Sequence, residues 1–269
     1  MATEAQWVPF RNSRIRFSRW GYGPEYLLCL HGYGEEGGSF AFLEKELGKQ
    51  YTLIAIDFPF HGGTDWQEEF LFDPPDLVHL IHQIIPNETP MTILGYSMGG
   101  RVALQLLQLI PGQIRKLVLV APDGLHRNKW QWLATRTGIG NRLFKWAMQQ
   151  PGLLLGLMDL AGKLGLYHKS LIKFVHFYLD DAEQRMILYR RWTTMRKFKP
   201  DLGLLKKIIR DKKIPVSLLF GRYDRVIRAI HGYHFSNGAE AWIRVVEIEA
   251  GHQLLREKHL PSLLPLLFE

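Results

Sequence analysis

Short apolar runs alternate with amphipathic stretches along the first 124 residues of the chain. The runs are apolar on both faces and are bounded by turn residues, which is typical of strands buried in a parallel sheet. They are Tyr26–Leu30, Thr52–Ile56, Met91–Leu94 and Lys116–Ala121. Helical spacing of apolar positions predicts helices at Phe40–Leu47, Pro75–Ile85 and Gly99–Leu109. A looser alternation over Trp7–Trp20 predicts a β-hairpin that turns at Asn12-Ser13.

The same rhythm returns near the end of the chain. Val216–Phe220 and Ile243–Ile248 have the pattern of strands, and Arg228–Ser236 and Pro261–Leu267 have the pattern of helices. Alternation of short buried strands with helices is typical of a sheet covered on both sides. The sequence therefore predicts an α/β fold whose mostly parallel sheet has helices on both faces.

Residues 125–213 interrupt this rhythm with helical spacing and no convincing strand. The helical stretches are Asn141–Gln149, Gly152–Leu164, Ser170–Tyr178, Ala182–Arg196 and Leu202–Asp211. We therefore predict one α/β core formed by residues 1–124 and 214–269. An all-helical cap, residues 125–213, is predicted to be inserted after the sixth strand.

The predicted cap is also the basic part of the chain. It contains 19 Lys and Arg residues against 6 Asp and Glu residues, whereas the remaining residues contain 15 and 20. Aromatic side chains are interleaved with the basic ones, which would suit an anionic or lipid-like small-molecule substrate, although a solvated helix face has the same composition. No recognition module for nucleic acid accompanies the charge, so no nucleic-acid partner is expected.

Length and composition, 269 residues with 46% hydrophobic and 22% charged, indicate an ordinary globular protein. The single cysteine, Cys29, lies in an apolar run and is expected to be a buried thiol. The N-terminus lacks the pattern of a signal peptide, and no run reaches the roughly 18 apolar residues that span a membrane. These features predict a cytoplasmic protein without stable membrane insertion. No metal-ligand spacing or dinucleotide fingerprint occurs, so we expect no metal and no cofactor.

The clearest chemical signal is the segment Gly95-Tyr96-Ser97-Met98-Gly99, which lies between a predicted strand and a predicted helix. In that context the pattern Gly-x-Ser-x-Gly puts the serine on a tight turn, where its hydroxyl stands clear of the sheet. The two glycines leave room for the turn, and the N-terminus of the following helix points toward the same place. Ser97 is therefore the predicted nucleophile.

Two further segments, His31-Gly32 and Asp57–Thr64, join this motif in an order that resembles the α/β-hydrolase superfamily. Many members carry a His-Gly turn after the third strand and an Asp-x-Pro-Gly-His-Gly-x-Ser stretch after the fourth. This chain departs from the second pattern at Phe60 and Thr64, both in a structural loop. The resemblance covers the whole predicted core, and the basic helical block occupies the position of the family's variable cap.

A serine hydroxyl needs an adjacent base, and the base needs a carboxylate that orients it. His252 follows the last predicted strand, and the resemblance implies that this loop returns beside the serine. Asp224 follows the seventh strand, where the family usually carries its acid, and the chain order Ser, Asp, His is the one that the fold requires. Asp123 is the alternative acid, because some members use the position after the sixth strand, but its Pro-Asp-Gly context is typical of a turn.

Two backbone N–H groups are predicted to hold an oxyanion, those of Met98 and Tyr33. Met98 directly follows the nucleophile, and Tyr33 lies in the glycine-rich loop after His31. Arg101 and His31 are the predicted substrate-binding residues, although His31 also resembles a structural histidine of the family.

Three functions stay open from the sequence. The first is a serine hydrolase that cleaves a small carboxylic ester, a thioester or a carbon–carbon bond through an acyl-enzyme. The second function is suggested by Arg101, because the segment Gly-Tyr-Ser-Met-Gly-Gly-Arg also resembles the menaquinone-pathway SHCHC synthase. That enzyme eliminates pyruvate to form 2-succinyl-6-hydroxy-2,4-cyclohexadiene-1-carboxylate. Its arginines hold the carboxylates of the substrate. The third is a non-catalytic small-ligand binding module, because some superfamily members are receptors.

Overall fold

The computed structural model describes residues 5–126, 129–152, 156 and 181–268. Its strands are β1 Gln6–Phe10, β2 Ser13–Trp20, β3 Glu25–Leu30, β4 Tyr51–Ile56, β5 Met91–Tyr96, β6 Ile114–Val120, β7 Val216–Gly221 and β8 Ile243–Ile248. They form one sheet in the order β1-β2-β4-β3-β5-β6-β7-β8. The pairs β1–β2 and β2–β4 are antiparallel, and the pairs from β4 to β8 are parallel.

The α-helices are α1 Glu44–Leu47, α2 Pro74–Ile84, α3 Met98–Leu109, α4 Lys129–Arg136, α5 Gly138–Gln149, α6 Ala182–Thr194, α7 Leu202–Lys212, α8 Ile230–Ser236 and α9 Leu260–Phe268. Short 3₁₀ helices occupy Gly37–Leu43, Met195–Lys197 and Glu257–His259. Every regular element that the structure describes between β6 and β7 is helical. The predicted fold class, a mostly parallel sheet with helices and an all-helical stretch after the sixth strand, is confirmed.

Strand β5 extends two residues beyond the predicted Met91–Leu94, through Gly95 and Tyr96. All six of its residues are buried, because β5 lies between β3 and β6 in the middle of the sheet. The predicted helix Phe40–Leu47 divides into the 3₁₀ helix and the one-turn helix α1. The extension of β5 matters for function, since the strand ends directly at Ser97.

Parallel pairing brings the carboxyl ends of β3, β5, β7 and β8 to one edge of the sheet. In open α/β sheets, ligands bind at this edge. His31, Ser97, Asp224 and His252 each follow one of these strands, so the candidate residues share that edge.

Contacts divide the chain into two compact units. The first contains the sheet and comprises residues up to 68, 72–126 and 197 onward; the second comprises 69–71 and the residues between 127 and 196. In the second unit, Tyr189 donates its hydroxyl to Asn141 Oδ1 at 2.9 Å, which links α6 to α5. The predicted helices Gly152–Leu164 and Ser170–Tyr178 lie almost wholly outside the described residues, and the predicted domain bounds stay a prediction. Among the described helices, none combines the length and the apolar character that a membrane span requires.

Candidate active site

Ser97 lies on a strained turn between β5 and α3. Its backbone has φ +50° and ψ −113°, a combination that non-glycine residues rarely adopt. The Ser97 N–H donates to the carbonyl of Val120 at 2.9 Å, and the Ser97 carbonyl accepts the N–H groups of Gly100 and Asp123, both at 2.9 Å. Three backbone hydrogen bonds therefore hold the residue in this conformation, with its side chain only partly buried.

The two glycines of the motif are required by close backbone approaches. A Cβ on Gly99 would lie 1.9 Å from the carbonyl oxygen of Leu30, and a Cβ on Gly95 would lie 2.7 Å from the carbonyl oxygen of Gly99. Neither position has space for a methyl group, and the atoms in the way are backbone. The sequence folds into this tight turn because these residues have no side chain.

His252 contacts both Ser97 and Asp224. Its Nε2 lies 3.2 Å from Ser97 Oγ, and its Nδ1 lies 2.7 Å from Asp224 Oδ2. A carboxylate beside Nδ1 fixes the tautomer in which Nδ1 carries the hydrogen and Nε2 is a free base. The three side chains thus form a chain of hydrogen bonds in which Nε2 faces the serine hydroxyl.

Asp224 is positioned by the loop that follows β7. Its side chain is fully buried, and Oδ1 accepts the backbone N–H groups of Val226 at 2.7 Å and Ile227 at 2.9 Å. These bonds leave Oδ2 for His252 and hold the carboxylate in one orientation. Buried polar atoms need such partners, and here the partners come from the loop's own backbone.

Asp123, the alternative acid, has other partners. Its Oδ1 accepts the N–H of Gly124 at 2.7 Å, and its Oδ2 lies 3.2 Å from Arg101 Nη1. The carboxylate that accepts the hydrogen bond from His252 Nδ1 is that of Asp224. Of the two acids considered from the sequence, the geometry favours Asp224.

The predicted oxyanion donors lie in the loop after β3 and at the start of α3. Met98 is the first residue of α3, and the first N–H groups of a helix have no partner within it. A Cβ on Gly32 would lie 3.3 Å from Ser97 Cβ, so the chain just before Tyr33 passes against Ser97. Both segments are therefore beside Ser97, and the donation of their N–H groups to a substrate stays a prediction.

His31 is fully buried, and backbone groups occupy both of its ring nitrogens. Its Nε2 accepts the N–H of Phe58 at 3.0 Å, so its Nδ1 carries the hydrogen and donates to the carbonyl of Gly32 at 2.8 Å. Because both nitrogens hold loops together, this geometry supports the structural role that the family resemblance implied. Contact of His31 with a substrate stays a prediction.

Arg101, the other predicted substrate-binding residue, is also buried, with a side chain 9% exposed. Its Nη1 pairs with Asp123 Oδ2 at 3.2 Å, and a Cβ on Gly124 would lie 3.0 Å from its Cβ and Cγ. The charge of this arginine is therefore already paired with a carboxylate that belongs to the fold.

Tyr96 is a site residue that sequence reasoning missed. Its hydroxyl donates to the carbonyl oxygen of His252 at 3.2 Å, and its ring centroid lies 5.7 Å from that of the imidazole. The signal that could have found it is an aromatic residue directly before the nucleophile in the Gly-x-Ser-x-Gly motif. Among the residues that the structure describes, no cluster of three or more His, Cys, Asp or Glu side chains could hold a metal ion.

Comparisons with known proteins agree with this architecture. A family model described as "Alpha/beta hydrolase family" matches residues 27–261. Two similar proteins are named pimeloyl-acyl-carrier-protein methyl ester esterase. The one from Aeromonas hydrophila is 25% identical over 229 residues, covering 79% of this chain and 82% of the relative. The one from Nitrosomonas europaea is 25% identical over 247 residues, covering 86% of each.

A solved structure shares the fold over almost the whole length of both chains. A thermophilic esterase from Thermogutta terrifontis superimposes with a TM-score of 0.69 at 15% sequence identity, covering 100% of this chain and 97% of that one. Similarity at this level of identity concerns the arrangement of strands and helices rather than the substrate.

Proposed function

The chain belongs to the alpha/beta hydrolase family, and from this premise we propose that it is a serine hydrolase that cleaves a small carboxylic ester through an acyl-enzyme. Ser97 is the proposed nucleophile, His252 the base and Asp224 the acid that orients the base. The observation that carries the proposal is the chain of hydrogen bonds from Ser97 Oγ through the imidazole to Asp224, 3.2 Å and 2.7 Å long.

In the proposed first half-reaction, His252 Nε2 takes the proton of Ser97 as Oγ attacks the ester carbonyl. The C–O bond to the alcohol then breaks, and the imidazolium returns the proton to the departing oxygen. Asp224 stabilises the imidazolium, because its fully buried carboxylate is 2.7 Å from Nδ1. The backbone N–H groups of Met98 and Tyr33 are the proposed donors to the oxyanion.

In the second half-reaction, water takes the place of the alcohol. His252 removes a proton from the water, the hydroxide attacks the acyl carbon, and Ser97 leaves with the proton. The products are the acid and free enzyme, so the proposed site needs no co-reactant besides water. Thioester or carbon–carbon cleavage would use the same two half-reactions with a different leaving group.

The names of the relatives support an ester as the substrate. Both compared relatives are named methyl ester esterases, so methyl esters are the first substrates to assay. Elimination of pyruvate by a synthase-like reaction is less well supported, because the arginine that suggested it, Arg101, is paired with Asp123 inside the fold. We further propose that residues 125–213 select the substrate, and their basic and aromatic composition favours an anionic or lipid-like acyl group.

The test combines turnover and labelling. We expect the wild-type protein to hydrolyse p-nitrophenyl and methyl esters and to be labelled at Ser97 by a fluorophosphonate. Ser97→Ala should abolish both while leaving the melting temperature close to that of the wild type. Ser236→Ala is the matched control, since it removes a serine hydroxyl that donates to the Tyr233 carbonyl away from the site.

Three outcomes would contradict the proposal. Normal ester turnover by Ser97→Ala would exclude Ser97 as the nucleophile. A wild-type protein that neither turns over esters nor reacts with the probe would favour a binding module without catalysis. Rapid pyruvate release from the menaquinone-pathway intermediate, without ester turnover, would instead favour the synthase-like reaction.

A further inference from the structure

Tyr96 joins three parts of the candidate site. It directly precedes Ser97 in the chain, and its hydroxyl donates to the backbone carbonyl of His252 at 3.2 Å. A Cβ on Gly32 would lie 2.9 Å from Tyr96 Cδ1, so the same ring packs against the loop that leads to Tyr33. One side chain thus touches the base loop and the predicted oxyanion loop from the position beside the nucleophile.

The hydrogen bond from Tyr96 acts on the backbone of His252 rather than on its imidazole. The His252 carbonyl oxygen also accepts the N–H of Leu254 at 2.8 Å, so two donors fix this peptide group. The aromatic ring of Tyr96 lies beside the imidazole with 32° between their planes. These contacts restrict both the main chain and the ring of the base.

The environment of Tyr96 keeps its hydroxyl a donor. The residue is 4% exposed, and a buried tyrosine hydroxyl needs a hydrogen-bond partner. Burial, with a smaller contribution from Glu35, raises the pKa of Tyr96 to about 12. The hydroxyl therefore keeps its proton across the pH range in which a serine hydrolase is assayed.

We propose that Tyr96 is a positioning residue that fixes the main chain of His252 and so holds Nε2 within reach of Ser97 Oγ. The inference rests on the proposed function of this serine–histidine pair. Since the imidazole acts in proton transfer rather than in substrate binding, loss of positioning should lower kcat and leave KM unchanged. A displacement of 1 Å costs about 100-fold in rate, and a looser hydrogen bond should cost less.

Tyr96→Phe tests the proposal, because it removes only the hydroxyl. Tyr51→Phe is the matched control: the hydroxyl of Tyr51 also donates to a backbone carbonyl, that of Leu267, at 3.2 Å, and the residue is 2% exposed. Tyr51 also has a side-chain hydrogen bond with Thr92, so we expect Tyr51→Phe to lower the melting temperature at least as much as Tyr96→Phe. Only Tyr96→Phe should lower kcat, by roughly three- to tenfold with KM unchanged, and it should slow fluorophosphonate labelling of Ser97 by the same factor.

A second measurement is independent of activity. The Nδ1–H of His252, held by Asp224 at 2.7 Å, should give a low-field proton resonance in NMR spectra. We expect Tyr96→Phe to broaden or shift this resonance, and Tyr51→Phe to leave it unchanged. Equal labelling rates and identical resonances in the two variants would overturn the positioning role.

The two proposals fail in different ways. If the wild-type protein lacks both turnover and labelling, the proposed function fails, and the resonance of His252 still decides whether Tyr96 holds the imidazole. If the wild type is active and Tyr96→Phe matches Tyr51→Phe in every readout, only the positioning role fails.

Discussion

Arg101 Nη1 lies 3.2 Å from Asp123 Oδ2, in an ion pair that links the first turn of α3 to the loop after β6. The same loop supports Ser97, because the N–H of Asp123 donates to the carbonyl of Ser97 at 2.9 Å. The pair therefore stabilises the turn that carries the serine. This geometry gives Arg101 a structural role beside Ser97, and its contact with a substrate anion stays a prediction.

Arg101→Met should lower stability and should lower turnover of neutral and anionic esters by the same factor. Breaking a fully buried ion pair costs about 3–5 kcal/mol, and we expect about 2 kcal/mol here because the Asp123 side chain is 24% exposed. Chemical denaturation gives the stability, and kcat/KM for an ester pair that differs only by a distal carboxylate gives the selectivity. A loss of activity confined to the anionic ester would show instead that Arg101 binds the substrate.

Asp224→Asn should reduce kcat by roughly 10³- to 10⁴-fold, because an amide can donate to Nδ1 and favour the wrong tautomer of His252. Asp123→Asn is the control for the alternative acid, and we expect a far smaller change in kcat from it. Steady-state kinetics on one p-nitrophenyl ester compares the two variants. Comparable losses would mean that the choice between the two carboxylates is wrong.

Gly99→Ala should destabilise the protein by more than about 3 kcal/mol, since its Cβ would lie 1.9 Å from the carbonyl oxygen of Leu30. Gly112→Ala is the matched change at a position where a Cβ meets nothing within 4 Å, and it should stay within about 0.5 kcal/mol of the wild type. Urea midpoints measure the difference. Similar stability of both variants would contradict the close approach of α3 to β3.

Protonation of His231 should lower the free energy of unfolding as the pH falls below 7. Burial, aided by His126, Arg228 and His234, lowers its pKa from the model-peptide value of 6.5. Its ring stacks on that of His126 with centroids 4.4 Å apart. As the pH falls through 6.5, His231 is protonated in the unfolded chain before it is protonated in the folded protein. The free energy of unfolding therefore decreases until the folded residue is also protonated.

His231→Gln should therefore show a smaller decrease in melting temperature between pH 7.5 and pH 5 than the wild type. His126→Gln should have a partial effect, since it removes one of the groups that lower the pKa of His231. Differential scanning fluorimetry at a series of pH values measures both slopes. Identical slopes in all three proteins would contradict the expectation.

The positions of Ser97, Asp224 and His252 at one edge of the sheet could be predicted, because each residue follows a strand with a clear apolar pattern. β8 has the predicted bounds, Ile243–Ile248, and the parallel pairing of β7 with β8 brings Asp224 and His252 to the same edge. Local motifs and the common direction of the strands were sufficient for this part. The prediction required no long-range contact other than the parallel pairing of the strands.

The partners of buried polar groups could not be predicted. Nothing in the sequence indicates that Asp123 meets Arg101, or that two backbone groups occupy the ring of His31. Helix α4 was not predicted, because Trp130 and Trp132 lie two positions apart, which is not the spacing of one helix face. These features depend on where loops pass in three dimensions.

Ser97 directly follows an inner strand, whereas His252 follows β8 at the edge of the sheet, 155 residues later in the chain. Under the proposed function, a nascent chain therefore carries Ser97 long before the imidazole that would deprotonate it has been synthesised. Under the proposed function, the reactivity of Ser97 therefore depends on the docking of β8, and its recovery during refolding would report when this edge strand joins the sheet.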